Sequence, residues 1–191
     1  MTNKQSKLYK IAVARKVNAV FSLVCTFLIL VHSAYDAIWM MGRGLVPNLP
    51  KPMAFILMGA VIIHTILSVV TAILGSGGKS EIKGTMYKKE NVQTLVQRIF
   101  GILMVLLLVP HIIGMGNHLA PKGLHSIIHP IFFLAVCGHT GISASKAFIT
   151  LGIGNAKTIK VIDIVARILC ILIFIASIVG LYLVMYGRWL G

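Results

Sequence analysis

Seven histidines stand in this chain of 191 residues, and their placement points to chemistry more directly than anything else in it. Four stand well inside long apolar runs, each on a different run: His32, His64, His111 and His139. The other three, His118, His125 and His129, gather near the junction of the third and fourth runs. An ionisable side chain inside a membrane is costly and marks a functional site by default. One such histidine is readily explained by a hydrogen bond to a neighbouring helix, but four on four separate helices are harder to explain that way. At helical rise, His32 lies roughly 24 Å beyond Lys16 and His111 roughly 20 Å beyond Arg98, which places both in the outer half of the membrane. His139 lies only about 10 Å from Lys146 on the inner side, and His64 about 16 Å from the end of its run, nearer mid-membrane. The depths pair His32 with His111 outside and, less tightly, His64 with His139 inside. Two imidazoles on facing helices are the axial ligands that a six-coordinate b-type haem requires, and the second ring nitrogen of each needs its own partner, often a backbone carbonyl. Iron held this way has no open position, so it serves electron transfer rather than oxygen binding. Small residues near the ligands, namely Ser68, Gly114 and Ser143, would let a flat macrocycle approach the backbone.

The elements that must carry these histidines follow from composition. The chain is 58% hydrophobic and 12% charged, with a mean hydropathy of +0.93, far from a soluble domain of this length. Its apolar residues form five runs, at 17–41, 53–74, 99–115, 127–151 and 168–186. A run of about 20 apolar residues crosses a bilayer core of roughly 30 Å. Backbone groups in lipid must be paired, so each run is expected to be a helix. Strand-length alternation is missing, which argues against a β-barrel. The expected fold is an all-α membrane protein, a single domain over 1–191 built as a bundle of five transmembrane helices. The first run is too long for a cleaved signal peptide and ends on Trp39 and two methionines, so it is expected to stay in the mature chain. Of the 18 Lys and Arg residues, 14 lie before run one, between runs two and three, or from the inner end of run four (Lys146) to the start of run five. The opposite side holds only Arg43, Lys51, Lys122 and Arg188. That asymmetry predicts a cytoplasmic N-terminus and an outside C-terminus. It also accounts for the net charge of +14 without nucleic acid, while leaving room for an acidic cytoplasmic partner or anionic lipid. Cys25, Cys137 and Cys170 fall inside the runs without metal-ligand spacing and suit small apolar packing positions. The segments 42–52, 75–97, 116–123 and 152–160 are expected to be connections, the second of them opening on Gly75-Ser76-Gly77-Gly78, a helix stop. Nucleotide-binding and hydrolytic motifs do not occur.

The stretch Val96-Gln97-Arg98-Ile99-Phe100-Gly101, followed by an apolar run to His111, resembles the third-span motif of succinate:quinone oxidoreductase cytochrome b subunits. There a Gln-Arg-x-x-Gly element opens a span that carries a haem ligand near its far end. The order of the histidines resembles the five-helix, di-haem type of that family. The resemblance implies two haem b groups, with His32 and His111 on the outer one and His64 and His139 on the inner one. It implies the membrane anchor of a succinate dehydrogenase or fumarate reductase, in a bacterial cytoplasmic membrane. It also implies cytoplasmic flavoprotein and iron–sulfur subunits, which carry the FAD and the clusters, and a quinone partner, usually menaquinone.

A quinone site needs an apolar pocket and a group that trades protons with water. Among four acids only Asp36 is near the outer pair, four residues after His32 and on the same helix face. It is a candidate proton acceptor for quinol; an acid in water at the membrane edge, or one bonded to His32, is an equal alternative. Arg98 suits the inner boundary of the third span, with a haem propionate contact as the alternative. His118, His125 and His129 suit an interfacial cluster, with a proton path or a surface metal as the alternative. Trp39 and Trp189 suit interface anchors. Competing functions are a haem-free quinone-binding anchor, a di-haem subunit of the nitrate reductase or hydrogenase kind, and a small histidine-containing transporter. The histidine on each of the first four spans and the absence of broken spans favour the first reading over these.

Overall fold

The computed structural model describes residues 3–42, 51–75, 85–116 and 122–186. They form five α-helices: α1 Asn3–Met41, α2 Lys51–Gly75, α3 Thr85–Gly116, α4 Lys122–Leu151 and α5 Ala156–Tyr186. No strand occurs among the described residues. All five are long and apolar enough to cross a membrane, and the chain is a multi-pass membrane protein. Large apolar side chains such as Phe27, Phe55, Ile73, Leu106 and Tyr182 point outward, as a lipid-facing surface requires.

Three helices outrun their apolar cores. α1, α3 and α5 begin at Asn3, Thr85 and Ala156, well before the apolar runs that start at 17, 99 and 168. The polar flanks contain neither glycine nor proline, and residues such as Ala, Lys, Arg and Gln support a helix there. Residues from Thr85 onward, expected as part of a connection, are therefore helical. All three extensions lie at one end of the bundle, called here the near end. α2 stops at Gly75, at the head of the glycine-rich segment. Between α4 and α5 the chain turns on two glycines with positive φ, Gly152 (73°) and Gly154 (91°). The Gly152 amide donates to the Ile149 carbonyl (3.1 Å) and the Ile153 amide to the Phe148 carbonyl (3.0 Å), a Schellman stop. Asn155 then caps α5, its Oδ1 accepting the Thr158 amide at 2.9 Å.

α4 is the central element: 44% of its apolar window is buried, against 6 to 22% in the other helices. Its inward positions are small, with Ala135, Gly138, Gly141, Ser143, Ala144, Ser145 and Ala147 letting neighbours close in. A Cβ on Gly138 would come within 2.6 Å of the Phe100 ring of α3. A Cβ on Gly180 of α5 would come within 2.8 Å of Met40 Cβ on α1. Close backbone packing joins α1 to α2, α4 and α5, and α4 to α3 and α5. Among the described residues α2 packs this way on α1 alone, and α3 on α4 alone. Helices α2, α1, α4 and α3 thus form a four-membered array open between α2 and α3, with α5 filling the groove between α1 and α4.

The array is filled in layers. Cys25, Ala60 and Val61 form one apolar cluster, and Met104, Phe132, Ala135 and Val136 another; Ile29 and Leu108 pack against both. This apolar layer separates the histidines near one end from those near the other.

Candidate functional site

At the near-end level, His139 of α4 is held from two sides by α3. Its Nδ1 lies 3.0 Å from the Gln97 carbonyl oxygen. A carbonyl only accepts, so Nδ1 carries the proton and Nε2 of the neutral ring is left bare, the form a metal ligand takes. One turn along, Gly101 leaves the space the ring needs: a Cβ there would stand 3.0 Å from His139 Nδ1. Gln97 and Gly101 are four apart and share one helix face. The Gln97 side chain faces the same way, accepting from Lys146 Nζ at 2.8 Å, and Lys146 also donates to Thr94 Oγ1 at 3.2 Å. Ser143 Oγ donates back to the His139 carbonyl at 2.7 Å.

His64 of α2 faces His139 of α4 across a diagonal of the array. The ring centres are 6.4 Å apart and the planes 67° from each other. An imidazole–metal bond is about 2 Å and a ring centre lies about 1 Å behind its nitrogen, so two histidines sharing one iron place their centres roughly 6 Å apart. His64 Nδ1 is buried without a hydrogen-bond partner among the described residues. One turn further, Ser68 and Asn18 of α1 exchange hydrogen bonds of 3.3 Å. Donor type, spacing, the bare nitrogen and the open side all fit a haem between His64 and His139.

At the far-end level, His32 of α1 and His111 of α3 line one cleft together with Asp36, Phe132, Phe133, Cys137 and Ser177. Both rings have a buried Nδ1 without a partner among the described residues. His32 Nε2 lies 3.2 Å from Asp36 Oδ2, and each side chain is about a quarter exposed (24% and 25%). Asp36 therefore bonds His32, the arrangement the helix spacing allowed. Phe132 stacks on His111 with ring centres 4.5 Å apart and planes at 24°. The donor types suit iron, and because Asp36 bonds Nε2 of His32 the nitrogen left for a metal on that ring is Nδ1. No known family, characterised protein or solved structure matches the chain.

The two pairs expected from depth are thus brought to two levels. His64 and His139 lie on one diagonal of the four-helix array, and His32 and His111 on the other. Along α4 the step from His139 to His129, ten residues, is roughly 15 Å. Arg98 is exposed on α3. His118 and Trp189 lie outside the described residues, and for His125 only the helical backbone is described. His129 departs from the interfacial setting expected for it: it is 1% exposed, with its ring centre 5.4 Å from that of His111. Its position inside the fourth apolar run was the available signal. Sequence reasoning also missed what Gln97 and Gly101 do. Their spacing was visible, but the residue they hold sits on another helix.

Three further polar groups are accounted for at the near end. Asp163 pairs with Arg167 at 2.7 Å and accepts from Ser145 Oγ at 3.0 Å. The cysteines are free, with Cys25 and Cys170 buried.

Proposed function

We propose that this chain is the cytochrome b membrane subunit of a complex of the succinate dehydrogenase or fumarate reductase kind, carrying two bis-histidine b haems. The observation that carries this reading is the His64–His139 pair, 6.4 Å apart, with His139 already oriented by the Gln97 carbonyl. When bound, the haems supply two one-electron carriers at the two levels. The chain's own part is to hold them and to exclude water. The Gln97 carbonyl fixes the His139 tautomer, Gly101 makes room for its ring, and Asp36 orients His32. The apolar layer at Ile29 and Leu108 keeps the space between the levels dry.

In this reading the near end is cytoplasmic. Exposed Lys10, Arg15, Lys16, Lys157, Lys160 and Arg167 stand there, a basic surface suited to an acidic protein face. Flavoprotein and iron–sulfur subunits dock on it. The far-end cleft, with aromatic walls and Asp36, serves a quinone, for which menaquinone is the proposed species. Asp36 takes a proton from the quinol. The membrane is the bacterial cytoplasmic membrane.

The test is to add a reduced naphthoquinol to the purified, oxidised protein and follow its visible spectrum. Reduction of a b-type chromophore is the expected result. A chromophore that dithionite reduces and the quinol does not would overturn the quinone half of the proposal.

A further inference from the structure

Ring spacing separates two kinds of histidine pair in this bundle. Two imidazoles on one iron place their centres roughly 6 Å apart, and the His64–His139 pair is at 6.4 Å. An N–H···N hydrogen bond of about 2.9 Å, with about 1 Å from each nitrogen to its ring centre, places the centres roughly 5 Å apart. His111 and His129 are at 5.4 Å, with planes at 58°. That is short for a shared metal and leaves the rings close to hydrogen-bonding distance, although no bond joins them in this structure.

A ligating histidine needs an acceptor for its second ring N–H. His139 has the Gln97 carbonyl, and His32 has Asp36. His111 Nδ1 is buried and bonds nothing among the described residues. The polar ring packed beside it is His129, itself 1% exposed and braced by Phe133, with ring centres 6.0 Å apart. Phe132, stacked on His111, offers no acceptor.

We propose that His129 is the positioning residue of the outer haem ligand His111. When the outer haem is bound, a small turn of the rings would let a ring nitrogen of His129 accept the Nδ1–H of His111, leaving Nε2 for the iron. The proposal rests on the outer-haem reading above. Accepting that proton makes the ligand more basic and favours the oxidised iron, so it lowers the midpoint potential of the outer haem.

The experiment compares the purified wild-type protein with His129→Phe and His129→Gln by haem count, optical redox titration at one fixed pH, and low-spin EPR. His129→Phe keeps the volume and removes the acceptor; His129→Gln restores one. The expected result is that His129→Phe raises the midpoint of one haem and shifts its EPR signal, while His129→Gln returns both toward wild type. Loss of one haem in His129→Phe with retention in His129→Gln supports the same role. Wild-type midpoints and EPR in His129→Phe overturn it, and so does equal haem loss in both variants, which marks a packing role. A wild-type protein with a single haem removes the outer-haem reading and this proposal with it, and shows itself before any substitution is compared.

Discussion

A Cβ at Gly101 would sit 3.0 Å from Nδ1 and 3.1 Å from Cε1 of His139, so a larger side chain there must displace the ring or break its bond to Gln97. Gly101→Leu is expected to lower the haem count from two to one while helix content, followed by circular dichroism, stays near wild type. Two haems in that variant would remove Gly101 from the site. Gln97→Ala is expected to behave differently. The acceptor for His139 is the backbone carbonyl, which alanine retains, so the inner haem should stay. The hydrogen bond from the Lys146 ammonium is lost, at a cost of about 1.5–3 kcal/mol, readable as a drop in Tm. At this scale the sequence showed which residue types could ligate and roughly how deep they lie. It did not show what holds them, because the Gln97–His139 contact depends on how α3 and α4 are set against each other. His129 was placed with its neighbours His118 and His125 for the same reason: spacing along one helix says that residues share a face, not that the face turns inward.

Between helices, the register of α3 on α4 is set by Phe100 lying in the space over Gly138, and that of α1 on α5 by Met40 over Gly180. Gly138→Ala forces the Phe100 ring to move, and since Phe100 is next to Gly101 the shift reaches His139. The expected cost is about 1–3 kcal/mol of stability, measured as a lowered Tm in detergent, together with weakened haem retention. Gly180→Leu is expected to destabilise to a similar degree but to spare the inner pair, because it acts between α1 and α5. The five helices were legible from apolar runs alone. Their ends were less so: hydropathy marks where lipid begins, whereas the helix continues until glycine, proline or a cap stops it, which is why α1, α3 and α5 start more than ten residues before their apolar runs. The Asn155 cap and the glycine turn before it were readable only as a connection.

For the molecule as a whole, the pairing of histidines belongs to the diagonals of the α2–α1–α4–α3 array. His32→Ala and His111→Ala are expected to remove one and the same haem, and His64→Ala and His139→Ala the other, each pair distinguished by its own midpoint potential. Loss of the same haem from His32→Ala and His139→Ala would break the diagonal scheme. The proposed orientation rests on the uneven split of basic residues along the sequence, 14 against four. A reporter fused after Gly191 that matures only outside the cytoplasm should be active, and a silent one beside an active cytoplasmic reporter would reverse the topology. The overall architecture was accessible from sequence because the membrane leaves few options; the helix order around the bundle was not, since it is decided by small residues on α4 whose neighbours only the folded chain reveals. The most direct measurement is a reduced-minus-oxidised optical spectrum of the purified, folded chain with a pyridine haemochrome count. Two b haems per polypeptide is the expected result, and no haem in protein produced with ample haem supply would contradict the cytochrome reading.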